Sequence, residues 1–439
     1  MIPRLVSLDA YRGFVMLAMV SHSLGLPAVV RELANRHDQH LAFWQQLAYQ
    51  FDHVQWPGCV FWDLIQPSFM FMVGAAMAFS CAARRAKGQS YWVLAVHAAW
   101  RSVALVLLGV FLRTEIKPDP DGGWPITNFT FVDVVSQIGL GYFFLFLLWG
   151  RRQWVLMLAA VSILVSYWAL FAAYPLPTPD FKYERWGVPE DWEYLYPETD
   201  FQAHWNKNSN PASAFDRWFL NKFPQRDQEV PGGPLPPRRG SGFQFNPGGY
   251  ATLNFIPSLA TMIFGLMAGQ MLLGPATYLA PRHELPHSQR DAHVRSSREK
   301  FGLLLLWGLA GLVIGYLLHI SGVCPAVKRI WTPTWTIYST GWTLIVLAGF
   351  YGIIELANFR WWAFPLAVVG MNSIAIYCLD KLTTPWIVAR LKVHFGGDIF
   401  SLWGLVDSAY APLVQSLFVM AILWLVMYWL YRRKIFLKI

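Results

Sequence analysis

Apolar runs of about 20 residues recur along the whole chain, and nothing constrains its fold more. A run of that length crosses the hydrocarbon core of a bilayer as a helix, the form that satisfies every backbone amide internally where lipid offers no partner. The runs lie near 12–32, 60–82, 92–112, 131–149, 154–173, 251–273, 301–319, 335–355, 361–380 and 410–431. They predict an all-α polytopic membrane protein, with about ten transmembrane helices in a single domain over residues 1–439. Only 14% of the residues are charged, against about 25% in soluble domains. The 23 Trp residues fit aromatic belts at the two membrane interfaces. The first run follows a charged motif, DAYRG, and lacks a small-residue cleavage site, so no removable signal peptide is expected.

Basic residues set the expected orientation. Arg84, Arg85 and Lys87 follow the second run, and Arg151 and Arg152 the fourth. Arg282, Arg290, Arg295, Arg298 and Lys300 follow the sixth, and Arg432, Arg433, Lys434 and Lys438 the last. With an even span count all of them, and Arg4, share one side, which the positive-inside rule makes cytoplasmic. Both termini are then cytoplasmic, in a cell inner (plasma) membrane. The net charge of +9 sits in short loops rather than on one face, which points to topology and lipid contact rather than nucleic acid.

Two longer connections stand out. Residues 174–250 form an expected extracytoplasmic loop rich in Trp, Tyr, Pro, Gly and Asn, as in YERWGVPEDWEYLYPE and GSGFQFNPGGY. Its mixed charge and many aromatics argue for order. Rings beside Asn, Asp and Glu suit the faces and hydroxyl edges of a sugar, and suit equally a structural cap resting on the interface. The cytoplasmic 274–300 connection is basic and polar, and reads as a solvated topogenic linker. The 382–409 stretch leaves room for a short re-entrant or interfacial piece.

The chemistry concentrates at the mouth of the second span, in FDHVQWPGCVFWDLIQPSFMFMVG at 51–74. Asp63 lies in the first turns of the apolar run, and a carboxylate there is expensive enough to mark a site. His53, just outside, is the side chain that gains and loses a proton near neutral pH. It could accept a proton from a substrate amine or hydroxyl, or carry an acyl group as a nucleophile. Asp63 could hold its ring in the reactive tautomer. An interfacial histidine beside a carboxylate paired elsewhere is the competing structural reading.

Other polar residues fall in the spans. Asp9 and Arg12 stand at the mouth of the first span and read as an ion pair with each other or with a neighbour. Ser21, His22 and Ser23 lie in its outer half, and His97 and Arg101 in the third. Arg101 either meets an anionic ligand from the cytoplasm or neutralises Asp133. Gln137 in the fourth and Asn372 in the ninth are amides that need partners, either a helix–helix clasp or a ligand contact. Four cysteines are too few for a disulfide scaffold. Cys59 and Cys324 fall near outer span ends and could pair, Cys81 and Cys378 read as core residues, and four unpaired thiols is the simpler reading.

Taken together, the motifs resemble one family. RLVSLDAYRGFVMLAMV, HVQWPGCVFWDLIQPSFMFMVG, FTFVDVVSQIGLGYF (129–143), NPGGYATLNFIPSLATMIFGLMAG (246–269), PAVKRIWTPTWTIYSTGW (325–342), GMNSIAIY (370–377) and YRRKIFLKI (431–439) are similar, in order, to the heparan-α-glucosaminide N-acetyltransferase family and its bacterial homologues. The resemblance implies a transmembrane acetyltransferase that takes acetyl from cytoplasmic acetyl-CoA as co-substrate, without a metal. It implies that His53, in His-x-x-Trp-x-Gly with Trp56 and Gly58, is the active histidine. The family's second implicated residue, an asparagine late in the first span, corresponds to Ser23. The family's usual DPEG reads NPGG here, at Asn246 to Gly249, so a carboxylate function there is absent.

The expected activity is transfer of acetyl to an amine or hydroxyl of an extracytoplasmic sugar, with a small-molecule or glycan acceptor and a homodimer as the expected partners. His53 and Asp63 are the expected catalytic pair. Arg84, Arg85 and Arg101 are expected to meet the phosphates of acetyl-CoA, and Gln137 and Asn372 to line its path. Ser23, Trp56 and Asn246 are expected to meet the acceptor. The runner-up is a transporter or permease for a sugar or lipid-linked sugar, and the third reading is a structural membrane subunit.

Overall fold

The computed structural model describes residues 5–37, 39–114, 127–178, 180–225, 228, 242–274 and 296–437. Arg4, Arg282, Arg290, Arg295, Lys438 and most of the 274–300 connection lie outside these residues. The described residues form helices and no strand; their one β-bridge pairs Pro57 with Val327.

The helices are α1 (Val6–Val20), α2 (Leu26–Asn35), α3 (Leu41–Gln50), α4 (Ile65–Arg85), α5 (Tyr91–Arg113), α6 (Val134–Leu148) and α7 (Gln153–Ala172). They continue as α8 (Pro211–Leu220), α9 (Phe255–Leu273), α10 (Ser297–Ile320), α11 (Pro333–Tyr351), α12 (Phe364–Gly370), α13 (Ser373–Phe395) and α14 (Ala411–Arg432). Among the described residues seven helices are long and apolar enough to cross a membrane, or nine if each of two bent pairs counts as one span. The expected fourth span, 131–149, is the shorter α6, of 15 residues.

The first expected span, 12–32, begins earlier and is broken. α1 ends at Val20, and His22, Ser23, Leu24 and Gly25 all take left-handed backbone angles before α2 leaves at 41°. The ninth is broken as well: α12 and α13 meet at 67° across Met371 and Asn372. Within 382–409, α13 runs on to Phe395, and short 3-10 turns follow at Gly397–Ser401 and Ser408–Tyr410.

Small residues let the central helices approach closely. A Cβ on Gly74 of α4 would stand 1.9 Å from the Met262 carbonyl oxygen of α9. Contacts this close are what bind helices together in lipid, where burial between helices gains little. Gly74→Ala is therefore expected to push α4 and α9 apart and destabilise the protein by about 1–3 kcal/mol, read as a lower unfolding temperature in detergent.

At one end of the bundle lie the short α4–α5 and α6–α7 connections, with Arg84, Arg85, Lys87, Arg151 and Arg152, and the end of α14. At the other end lie the 51–64 segment, the 321–332 segment and the described residues of 174–250. These last carry α8 and short 3-10 turns rather than a large domain. Several of their aromatics are spent on packing, while Tyr194, Phe201 and Trp218 stay exposed. Trp56, Trp205, Tyr167, Phe171, Val327 and Ile330 form one buried cluster over the bundle, and Lys207 and Arg217 lie on the faces of Trp192 and Trp186.

Candidate active site

Three segments far apart in sequence build the site. Residues 51–60 run extended into a 3-10 turn, Phe61–Leu64, that opens α4 and buries Asp63 completely. The 321–332 segment lies alongside, joined by the Pro57–Val327 bridge and by Gly58 N–H donating to the Ala326 carbonyl at 3.0 Å. Gly58 has φ +129°, a value side-chain-bearing residues rarely adopt, so the turn needs a glycine. Thr332 then caps α11 through its hydroxyl, with Pro333 at the first helical position.

The clasp brings His53, Asp63 and Lys328 together. His53 Nδ1 is 2.7 Å from Asp63 Oδ1, and Lys328 Nζ is 3.1 Å from each of those atoms. The Val54 amide donates to Asp63 Oδ2 at 3.3 Å. The distances assign the tautomer. Two acceptors 2.7 Å apart would repel, so Nδ1 carries the proton and donates it to Asp63. Nε2 then keeps its lone pair, and among the described residues it has no partner. The His53 side chain is 37% exposed, against 1% for Asp63 and 5% for Lys328, so an acceptor can reach the ring while its support is dry. Burial lowers the His53 pKa below its ordinary value; the charges of Lys328 and Arg329 add to this, and Asp63 opposes it. The site is thus a neutral imidazole with its basic nitrogen outward and an ionic pair behind it.

Arg329 fixes the frame. It donates to the Gly248 carbonyl at 2.8 Å and the Val54 carbonyl at 3.4 Å, and its own carbonyl accepts from Asn254 Nδ2 at 2.8 Å.

The expected acceptor residues do other work. Trp56 is fully buried, with its indole N–H on the Trp205 carbonyl at 3.0 Å, so it anchors the cap and meets no solvent. Asn246 forms a turn, accepting from the amides of Gly248 and Tyr250. Ser23 sits in the left-handed break with no hydrogen bond to the site among the described residues. Its neighbour His22 pairs through Nε2 with Asp380 Oδ1 at 2.7 Å.

The expected path residues are likewise taken. Gln137 Nε2 ties the Phe131 and Thr252 carbonyls together at the start of α6 and is buried. Asn372 fills the α12–α13 break and clasps the C-terminal tail, donating to the Ile435 carbonyl and accepting from the Leu437 amide. Arg101 lies 4.8 Å from the Tyr142 ring centre and donates to its hydroxyl. It does not neutralise Asp133, which instead takes Arg113 at 3.1 Å and the Tyr377 hydroxyl at 2.7 Å. Arg84 and Arg85 close α4 at the end opposite His53, where Arg85 caps the Gln89 carbonyl. Arg12 reaches the Gly370 carbonyl across to α12. Cys59 and Cys324 are free thiols donating weakly to nearby carbonyls, so they do not pair. Among the described residues no three His, Cys, Asp or Glu side chains come together as a metal site.

Lys328 is the residue that sequence reasoning missed. It lies in PAVKRIWTP, a block that carries the family resemblance, but nothing in one sequence marks one lysine of that loop as buried against a histidine 275 residues away.

Fold and site together define a polytopic helical membrane protein with a buried His–Asp–Lys cluster at one end of its bundle. No family model matches the chain. It is similar to the heparan-alpha-glucosaminide N-acetyltransferase of Homo sapiens, 24% identical over 466 aligned positions that take in 100% of this chain. It is similar also to the Mus musculus protein of that name, at 22% over 89% of the chain. It spans 60% and 56% of the lengths of those two relatives. The end-to-end match supports membership in the heparan-alpha-glucosaminide N-acetyltransferase family.

Proposed function

We propose that the protein is an integral-membrane acyltransferase that moves acetyl from cytoplasmic acetyl-CoA to an amine or hydroxyl of an extracytoplasmic sugar. The observation that carries this reading is His53, whose Nδ1–H is held by buried Asp63 while Nε2 stands open. The acceptor's proton passes to Nε2 as its nitrogen or oxygen bonds to the thioester carbonyl carbon. The carbon–sulfur bond then breaks, and the thiolate leaves and takes up a proton. A thioester is already activated, so deprotonating the acceptor is the help it needs, and we favour direct transfer over an acetyl group carried on His53.

Orientation supports the reading. The basic loops lie at the end of the bundle opposite His53, so the positive-inside rule turns His53 outward. α4 alone, with 21 residues, separates the two ends by about 30 Å at 1.5 Å per residue. We assign the phosphates of acetyl-CoA to Arg84 and Arg85 at its basic end.

The test is thiol release from acetyl-CoA by the purified protein, with glucosamine as trial acceptor. Acceptor-dependent release establishes the transferase. Tight binding of acetyl-CoA without release means a different acceptor. No binding at all favours the permease, the reading to which the two bent spans lend support, since broken helices line transporter sites.

The rate has an expected pH dependence. The neutral ring is the active form and its pKa is lowered. Activity is therefore full at and above neutral pH, and is lost as pH falls through a midpoint below the ordinary histidine value of about 6.5. A midpoint in kcat/KM above 7 would contradict the site as drawn.

A further inference from the structure

Resting on the proposed function, we infer that Lys328 is a positioning residue of the acetyl-transfer site: its ammonium holds Asp63 and keeps the His53 ring neutral, with the basic nitrogen facing the acceptor.

The geometry leaves Lys328 little freedom. Its neighbours Ala326 and Val327 are pinned to Gly58 and Pro57. The Val327 amide donates to the Thr332 hydroxyl, and Arg329 is tied to Gly248 and Val54. An ammonium 4% exposed in so fixed a loop is costly unless it is paired. Its pairing is with Asp63 Oδ1, the same oxygen that accepts from His53 Nδ1. One carboxylate oxygen thus serves two donors, one of them permanently cationic.

That sharing decides the proton count. His53 faces Asp63 across its Nδ1, Asp52 at its own amide, Lys328 beside the ring and Arg329 one step away, with the thiol of Cys59 close to Asp63. Without Lys328, Asp63 would be an unbalanced buried anion 2.7 Å from the ring, and an imidazolium would be its natural partner. Nε2 would then hold a proton and could accept none. With Lys328 in place the carboxylate is already matched, and the second positive charge is opposed. The same ammonium works against any lasting cation on the ring. An acetyl-imidazolium is such a cation, so direct transfer is the route Lys328 favours. A lysine that only supported the fold of its loop would, when lost, leave the protonation of His53 where it was.

The test reads His53 without requiring turnover. Full-length protein in detergent is treated with diethylpyrocarbonate over a pH series, and acylation of His53 is followed by peptide mass spectrometry in wild type, Lys328→Met, Lys328→Gln and Lys328→Arg. We expect the midpoint to rise by about one pH unit or more in Met and Gln and to stay near wild type in Arg. Gln can still donate to Asp63 without a charge, and it keeps the test decisive if Met does not fold. A wild-type midpoint in folded Met or Gln protein overturns the inference. Where acetyl transfer is measurable, the acidic limb of kcat/KM should move up with the labelling midpoint. A protein that neither binds acetyl-CoA nor transfers acetyl, yet shows the labelling shift, would sink the proposed function and leave the lysine's effect on the ring standing.

Discussion

His53→Ala is expected to lower acceptor-dependent acetyl transfer by about 10²- to 10⁴-fold, the range a positioned general base supplies, while leaving the fold intact. The fold should survive because His53 gives the structure little beyond its bond to Asp63. With the ring gone, Asp63 keeps Lys328 at 3.1 Å and the Val54 amide at 3.3 Å, so no buried charge is stranded. The rate should fall because among the described residues no other group near the ring offers a free basic nitrogen. Lys328 is spent on Asp63 and Arg329 on two carbonyls. The measurement is thiol release at saturating acetyl-CoA and acceptor, beside the unfolding temperature of the same preparation. A loss of less than threefold in folded protein would remove His53 from the chemistry. A companion single-turnover experiment without acceptor addresses the route: one equivalent of released thiol with acetyl trapped on His53 would replace direct transfer by a covalent intermediate.

How far this site was legible in the sequence depends on what kind of property each residue expresses. His53 and Asp63 were legible because a histidine and a carboxylate at the mouth of an apolar run are chemically costly, and cost is visible in one dimension. The spans were legible for the same reason, through the length of the apolar runs. The break in the first span was not. Ser21, His22, Ser23 and Gly25 interrupt the apolar run there, but such residues do not by themselves fix the backbone angles at His22, Ser23 and Leu24 that make the break. Trp56 was expected to meet the acceptor, as part of the His-x-x-Trp-x-Gly motif that carries the family resemblance. Its burial comes from Trp205 and from the 321–332 segment, both distant in sequence. Gln137 and Asn372 were read as lining a path because a polar group in lipid needs a partner. The partners turned out to be backbone groups outside the α-helices, where carbonyls and amides are left without α-helical bonds: those before α6 and α9 for Gln137, and those of the tail after α14 for Asn372. Lys328 needed the clasp between Pro57 and Val327 before it meant anything.

Asp63→Asn should cost both activity and stability, and the two losses should separate in a double variant. The amide is nearly the same shape but cannot hold Nδ1–H as an anion does. With its NH₂ turned to the ring it favours the other tautomer, placing the proton on Nε2 and blocking the basic lone pair. The rate is expected to drop by about 10²-fold or more, as for loss of a general base. Stability falls for a different reason. Lys328 is 5% exposed in its side chain and would lose its only carboxylate, and breaking one side of a buried ion pair costs about 3–5 kcal/mol. Adding Lys328→Met to Asp63→Asn removes the stranded charge. The double variant should therefore recover most of the unfolding temperature and none of the rate, because the ring still lacks its anionic partner. Thermal unfolding in detergent and thiol release on the same four proteins (wild type, each single variant and the double) complete the cycle. If the single and double variants unfold together, Lys328 and Asp63 are not energetically coupled, and the ion pair behind the imidazole is not what holds the site. If the double variant regains activity, Asp63 serves only to neutralise Lys328, and the orientation of His53 comes from the 51–60 segment alone.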